Sequence, residues 1–173
     1  MSNQKNILLF FIAFTIMLFV SCDDKKCTDV ICGFNETCHQ GNCFCLDGYE
    51  GDNCDELSFE KYVGNYNVSM SCQNPISAFY TFEVIYSDQS PINEIIFQNF
   101  LNSGSSVKGY VGAGADNEGN LLQIPQQNLG SSAFVVTGEG YFQEFGSAGQ
   151  LQMNIQVAQN GQSNTCNLIF YKQ

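Results

Sequence analysis

"GNYNVSMSC", residues 64–72, carries the pattern that decides the fold of this chain. Its apolar side chains fall at every second position, and polar side chains fill the positions between them. The apolar set is Tyr66, Val68, Met70 and Cys72. A period of two predicts a β-strand with one buried face and one solvated face. The same alternation returns in "LQMNIQVAQ", residues 151–159, so the strand pattern extends well beyond the first segment.

Turn-forming residues divide residues 62–173 into eight such segments. We expect strands near 62–72, 77–86, 92–100, 106–113, 120–125, 132–142, 149–159 and 164–172. The connections are short enough to join antiparallel neighbours, and no stretch has a helical apolar period of useful length. The second domain, residues 62–173, is therefore predicted to be an eight-stranded antiparallel up-and-down barrel. A two-sheet β-sandwich is the alternative.

Two cysteines support the closed barrel. Cys72 ends the first predicted strand, and Cys166 begins the last one. In a closed meander with an even number of strands, the first and last strands are antiparallel neighbours, so these two positions lie side by side. Both cysteines also fall on the apolar parity of their strands. We therefore expect a Cys72–Cys166 disulfide that closes the barrel seam from inside, worth about 4–5 kcal/mol in the loop-entropy model.

"VGNY", residues 63–66, carries a resemblance to a known family. Lipocalins have Gly-x-Trp at this place on the first strand, and Tyr66 takes the position of the tryptophan. The domain is therefore similar to the lipocalin-like barrels found in bacterial lipoproteins. Eight-stranded barrels are either filled by side chains or hold one small ligand.

Six cysteines are concentrated between residues 27 and 54, at Cys27, Cys32, Cys38, Cys43, Cys45 and Cys54. Zinc is the first alternative, because cysteine clusters with a histidine can bind this metal. Six evenly spread cysteines exceed a four-ligand site, however, and an exported protein reaches an oxidising compartment in which disulfides persist. The sequence therefore predicts disulfides and no metal site, with fifteen possible pairings.

The spacing C-x-C-x2-G-[YF]-x-G-x2-C resembles that of an EGF-like domain. The residues that match are Cys43, Cys45, Gly48, Tyr49, Gly51 and Cys54. The resemblance covers residues 27–54 and implies the pairs Cys27–Cys38, Cys32–Cys43 and Cys45–Cys54. Gly48 and Gly51 would supply turn conformations, with Tyr49 as an apolar plug between them. Calcium-binding members have an acidic run before the first cysteine, where this chain reads "DDKK", so calcium binding is not expected.

The amino terminus has the layout of a secretory signal peptide, residues 1–21. Its apolar run, residues 7–20, would rise about 21 Å as a helix, which is short of the roughly 30 Å hydrocarbon core. An uncleaved signal anchor is the alternative. "LFVSC" resembles the lipobox of bacterial lipoproteins, which implies cleavage before Cys22 and lipid attachment to Cys22. Residues 22–26 would then be a lipidated tether, and lipidation of Cys22 leaves eight of the nine cysteines to pair.

Charge and motifs exclude several functions. The net charge is −11, with six lysines and no arginine, so nucleic acid is not an expected partner. The only histidine, His39, is expected in an exposed loop of the cysteine-rich segment, and no hydrolase, metalloprotease or P-loop motif occurs. Glu139 is expected to face outward from a strand. We therefore expect no enzymatic activity and no cofactor.

The predicted function is that of a non-enzymatic, lipid-anchored cell-envelope protein. Its barrel would bind an extracellular protein or glycan, and residues 55–61 would link it to the EGF-like domain. The resemblance to lipoproteins implies the outer membrane, with the cell surface of a Gram-negative bacterium as one location. The alternative is a small-ligand carrier. Bulky inward candidates favour a filled barrel, namely Tyr66, Tyr80, Phe82, Phe97, Phe134 and Phe170, whereas Gly109, Gly138 and Gly140 would leave room.

Overall fold

The computed structural model describes residues 25–73, 77–112, 120–130, 134–145 and 148–173, and this part of the chain is all-β. The predicted signal peptide and the lipidation site Cys22 lie outside the described residues. Four short strands precede the large domain: β1 (Glu36–His39), β2 (Asn42–Cys45), β3 (Tyr49–Glu50) and β4 (Glu56–Leu57). Single 3-10 turns occur at Lys25–Cys27 and Phe100–Asn102.

Eight longer strands form a closed antiparallel barrel. They are β5 (Gly64–Cys72), β6 (Ser77–Ile85), β7 (Glu94–Gln98), β8 (Val107–Val111), β9 (Leu121–Asn128), β10 (Val135–Phe145), β11 (Ala148–Gln159) and β12 (Gln162–Lys172). Each strand pairs with the next along the chain, and β12 pairs with β5. The predicted all-β barrel is therefore confirmed. The alternative of a two-sheet sandwich is wrong, because a continuous ring of hydrogen-bonded strands leaves no two separate sheets.

Some strands begin or end at other residues than predicted, because local backbone conformations and hydrogen bonds compete there with the hydrogen bonds between strands. β5 begins at Gly64 rather than at residue 62, because a turn comes first in which Tyr62 donates its N–H to the Phe59 carbonyl at 3.0 Å. β7 ends at Gln98, since Asn99 adopts a left-handed conformation with φ of 54°. β9 continues past Pro125, and the register between β9 and β10 shifts there, as in a β-bulge.

The barrel interior is filled by side chains. Four aromatic residues from four strands, Tyr66, Phe82, Phe97 and Phe170, contact one another with ring centroids 5.1–6.5 Å apart. These distances are typical of favourable aromatic pairs. The Tyr66 hydroxyl donates to the Tyr62 carbonyl at 2.8 Å, and burial raises the pKa of Tyr66. Of the other two bulky candidates, Tyr80 and Phe134 are half-buried and lie against this core.

The glycines expected to leave room in the barrel accommodate larger neighbours instead. A Cβ atom at Gly109 would lie 2.8 Å from the Phe97 ring. One at Gly138 would lie 2.7 Å from Ile155, and one at Gly140 would lie 2.5 Å from Met153. The space that these glycines leave is therefore already occupied by side chains of neighbouring strands.

Disulfide bonds are present, as expected. Cys72 and Cys166 are directly opposite on β5 and β12 and form a disulfide at the seam, with Cys166 buried. Three further disulfides join the amino-terminal segment, at Cys27–Cys38, Cys32–Cys43 and Cys45–Cys54. This segment, residues 25–57, is called the disulfide module below.

The disulfide module lies directly against the barrel. Gly48 is buried with φ of 92°, and a Cβ atom there would lie 2.7 Å from Ile92 of the barrel domain. Gly51 also has a positive φ, of 84°, while Tyr49 pairs with Leu57 and is half-buried. Gly48 therefore serves two purposes, because it adopts a left-handed turn and permits close contact between the module and the barrel.

Residues 55–61, which were expected to form a linker, make part of this junction. Lys61 forms an ion pair with Glu50 of the module at 2.6 Å, and the two side chains are 13% and 14% exposed. Lys61 also donates a hydrogen bond to the side-chain oxygen of Asn120 in the barrel domain at 2.8 Å. Phe59 stacks on Tyr86 with ring centroids 3.9 Å apart. Polar and aromatic contacts together hold the module on one end of the barrel.

Candidate functional site

The outer wall of the barrel offers the most distinctive surface. β5 and its neighbours β6 and β12 line a groove on this wall that has a volume of about 360 Å³. Two aromatic side chains rise from it, and polar side chains lie between them. We call it the aromatic groove, and the residues that define it are Asn67, Ser69, Phe79, Thr81 and Tyr171.

Strand register explains how the groove forms. Phe79 of β6 is directly opposite Ser69 of β5, and Tyr171 of β12 is directly opposite Asn67 of β5. The two rings therefore stand on either side of one strand, so their backbones are roughly 10 Å apart across the sheet. Phe79 is 84% exposed and Tyr171 is 50% exposed. Both rings are thus available to a ligand from outside the barrel.

The groove floor carries polar side chains without charge, although most of the exposed surface of the groove is apolar. Gln173 donates a hydrogen bond to Asn67 Oδ1 at 2.9 Å, which fixes the Asn67 amide and leaves its amino group on the opposite side. Ser69 and Thr81 add hydroxyl groups, which can both donate and accept. Among the described residues that line the groove there is no Asp, Glu, Lys or His.

A second groove on the outer wall includes three amide side chains in its lining. Its polar lining includes Gln123, Glu139, Asn154 and Gln156, and its volume is about 380 Å³. Asn167 donates a hydrogen bond to Asn154 Oδ1 at 3.1 Å, which links the amides of β11 and β12. Glu139 is exposed on β10, in agreement with its expected outward position. This groove lacks an exposed aromatic ring among its described lining.

The end of the barrel near the seam disulfide has an apolar depression of about 370 Å³. Its apolar lining consists of Met70, Cys72, Leu101, Phe134, Val157 and Cys166. Polar side chains at the end of β11 and the start of β12 form the rest of the lining. The depression is open to solvent.

One buried carboxylate lies on the outside of β7. Glu94 is 2% exposed and accepts hydrogen bonds from Ser90 Oγ at 2.7 Å and Tyr110 OH at 3.0 Å, while Lys108 Nζ lies 2.9 Å from its Oε1. Burial by itself would raise the pKa of Glu94, but the bonds from Lys108, Ser90 and Tyr110 outweigh it and lower this pKa. A carboxylate with both oxygens occupied in this way stabilises the loop before β7, and it is poorly placed to transfer protons.

The cysteine-rich segment does not assemble a metal site from its closest ligand atoms. Cys32, Glu36 and Cys43 lie together, but the two sulfurs are bonded to each other and are not thiolates. The Glu36 carboxylate accepts a hydrogen bond from the Gly33 N–H at 2.6 Å. His39, expected in a loop, is the last residue of β1, and it is exposed.

Comparison with known proteins adds little to the geometry. No protein-family model matches the chain, and no curated protein matches it. A crystal structure of a structural-genomics protein of unknown function from Bacteroides ovatus is similar, with 9% sequence identity and a TM-score of 0.42. The match covers 65% of this chain and 42% of that one. Within the described ranges, no helix is long and apolar enough to cross a membrane.

The aromatic groove was not predicted from the sequence, although a signal for it exists. Phe79 lies on β6 between Ala78 and Tyr80, which face inward, so its own position faces outward. The alternating pattern predicts a polar residue at such a position. Tyr171 likewise follows the outward parity of Asn167 on β12. Large aromatic residues at outward-facing positions of the two strands that flank β5 therefore mark this site.

Proposed function

We propose that this protein is a non-enzymatic, lipid-anchored protein of the cell envelope that binds an extracellular partner on the outer wall of its barrel. The observation that carries the proposal is the distribution of aromatic residues. The inward-facing rings are packed against one another, whereas Phe79 and Tyr171 are exposed on the outer wall. A filled barrel with an aromatic groove on its outer surface favours recognition outside rather than inside.

The anchoring half of the proposal rests on the sequence and on the disulfides. Cys22 follows a segment that resembles a lipobox, and two or three acyl chains hold a protein firmly on a membrane. Four disulfides are in keeping with export, because such bonds persist in oxidising compartments. The module would be an EGF-like domain that acts as a rigid spacer between the membrane and the barrel, which is lipocalin-like in this proposal.

Metabolic labelling of cells with a palmitate analogue tests the anchor. The full-length protein should incorporate the label and sediment with membranes, whereas Cys22→Ala should lose both properties, because no acyl chain can be attached. Ser21→Ala is the matched control, since it changes the neighbouring residue and keeps the cysteine. Membrane association of Cys22→Ala equal to that of the natural protein would contradict the anchor.

A second candidate function is that of a small-ligand carrier, and the apolar depression at the barrel end favours it. Met70, Leu101 and Phe134 offer an apolar surface there, and its volume of about 370 Å³ suits a small molecule. Native mass spectrometry of protein purified from its host tests this function. A retained mass that disappears in Leu101→Gln supports a carrier, and repeated preparations without added mass contradict it.

A further inference from the structure

We infer that the aromatic groove binds an uncharged saccharide, one or two sugar rings of a neutral extracellular glycan. The inference rests on the proposed function, since it names the partner class of the same outer wall. It is carried by three observations: exposed aromatic rings on both sides, hydrogen-bonding groups between them, and no charged side chain in the described lining.

The rings provide the first part of the recognition. A sugar ring has a face of C–H groups, and the negative π-face of an aromatic ring attracts the partial positive charge of such groups. Phe79 and Tyr171 flank β5 from the two neighbouring strands, so a saccharide lying across this strand can contact both rings. Their exposure means that this contact requires no rearrangement of the barrel.

The groove floor provides the second part. Sugar hydroxyls both donate and accept hydrogen bonds. A site that buries them without partners has a lower affinity for the saccharide. Asn67 offers an amide whose orientation Gln173 fixes, and Ser69 and Thr81 offer hydroxyl groups. Asn67 and Ser69 lie on β5 between the two strands that carry the rings, and Thr81 lies directly opposite Asn67 on β6.

Charge distinguishes among possible partners. Acidic polysaccharides need cations for recognition, but the described lining of the groove contains no lysine or histidine, and the chain has a net charge of −11. An acidic glycan would therefore be repelled. A neutral glycan carries no charge and is not repelled in this way.

Size favours a saccharide over a protein. The groove has a volume of about 360 Å³, which lies near the lower end of the usual range for small-ligand sites. A stable protein interface buries about 800 Å² on each partner, with a central apolar cluster. Here the two exposed rings stand on different strands, with Asn67 and Ser69 of β5 between them, and do not form one central cluster.

A glycan-binding experiment with the lipidated full-length protein tests the inference. The probes are immobilised neutral oligosaccharides of glucan, mannan, galactan and xylan, together with polygalacturonate and chondroitin sulfate as acidic polymers. We expect binding to at least one neutral probe and none to the acidic polymers. Phe79→Ala and Tyr171→Ala should each weaken this binding about tenfold or more, because each removes one ring.

Two further variants separate recognition from general damage to the fold. Tyr141→Ala is the matched control, because Tyr141 is a 40% exposed aromatic residue on β10, outside the groove, and its loss should leave binding unchanged. Tyr171→Phe keeps the ring and should retain most of the affinity. Far-UV circular dichroism and the disulfide count check that each variant is folded.

Several results would overturn the inference. These are no binding to any neutral probe, preference for an acidic polymer, or equal binding by Phe79→Ala and the natural protein. A photo-crosslinking amino acid at position 81 that captures a protein on cells would also overturn it, but would leave the proposed function intact. Absence of lipid at Cys22, by contrast, would contradict the proposed anchor while groove binding by the same preparation remained measurable.

Discussion

The seam disulfide gives the strongest test of how this barrel is stabilised. Replacing Cys72 and Cys166 together by alanine removes a bond between residues separated by 94 positions. In the loop-entropy model, a closed loop of this length is worth about 4.6 kcal/mol at 25 °C. Total stabilities of natural domains are about 5–15 kcal/mol, so the double variant should lose about 30% or more of its free energy of unfolding.

Guanidinium unfolding followed by far-UV circular dichroism measures this loss, with mass spectrometry to confirm that the other three disulfides remain intact. Met70→Ala is the matched control, because Met70 lies beside Cys72 on the same face of β5 and takes no part in a disulfide. Its half-buried side chain should cost about 1–2 kcal/mol, less than a fully buried methionine. A double variant that loses no more than Met70→Ala would refute the role assigned to the seam.

Three further predictions concern the junction, the buried carboxylate and the barrel interior. Lys61→Ala should destabilise the protein by about 3 kcal/mol, because it leaves the Glu50 carboxylate almost buried without its partner, and a double-mutant cycle in urea that gives a coupling energy near zero would contradict this. The folded pKa of Glu94 lies below its ordinary value of 4.5, so the stability that it contributes is present above that pH and is lost as the pH falls through the folded pKa. Thermal melting between about pH 3 and pH 7 should show this acid-side loss. It should be smaller in Glu94→Gln, and an identical pH profile would exclude a contribution from the carboxylate. Gly140→Ala should cost about 1–3 kcal/mol in chemical unfolding, since the added methyl group would lie 2.5 Å from Met153, and Met153→Ala in the same chain should recover part of the loss. An unchanged stability in Gly140→Ala would mean that the interior has unfilled space.

Much of the barrel can be read from the sequence, because the period of two in each strand records which side faces the core. Residues such as Val68 and Leu168 fall on the apolar parity and are fully buried. The position of Cys72 at the end of one strand and Cys166 near the start of another also agrees with closure, since the closed barrel pairs these two strands. Strand ends are less readable, because single hydrogen bonds such as that from Tyr62 to Phe59 decide them.

The contact between the module and the barrel has no separate signal in the sequence. The left-handed turn already favours glycine at position 48. The close contact with Ile92 also favours glycine, so it does not change the residue type and cannot be recognised in the sequence. Lys61 and Ser58 have the composition of a solvated linker, yet Ser58 is fully buried and Lys61 is nearly so. Their burial depends on which surface the segment meets, which local pattern does not encode.

Glycines on the inner wall illustrate why a cavity cannot be inferred from small residues alone. Gly138 is directly opposite Ile155, and Gly140 is directly opposite Met153, so each missing side chain is matched by a larger one on the neighbouring strand. Protein interiors are close-packed, and volume removed at one position is taken up at the next. Phe79 is the opposite case: its side chain is large, but no neighbouring side chain covers it, so the ring stays exposed. Among the described residues the inward-facing rings are packed and two outward-facing rings are exposed, and this contrast is why we propose recognition on the outside of the barrel.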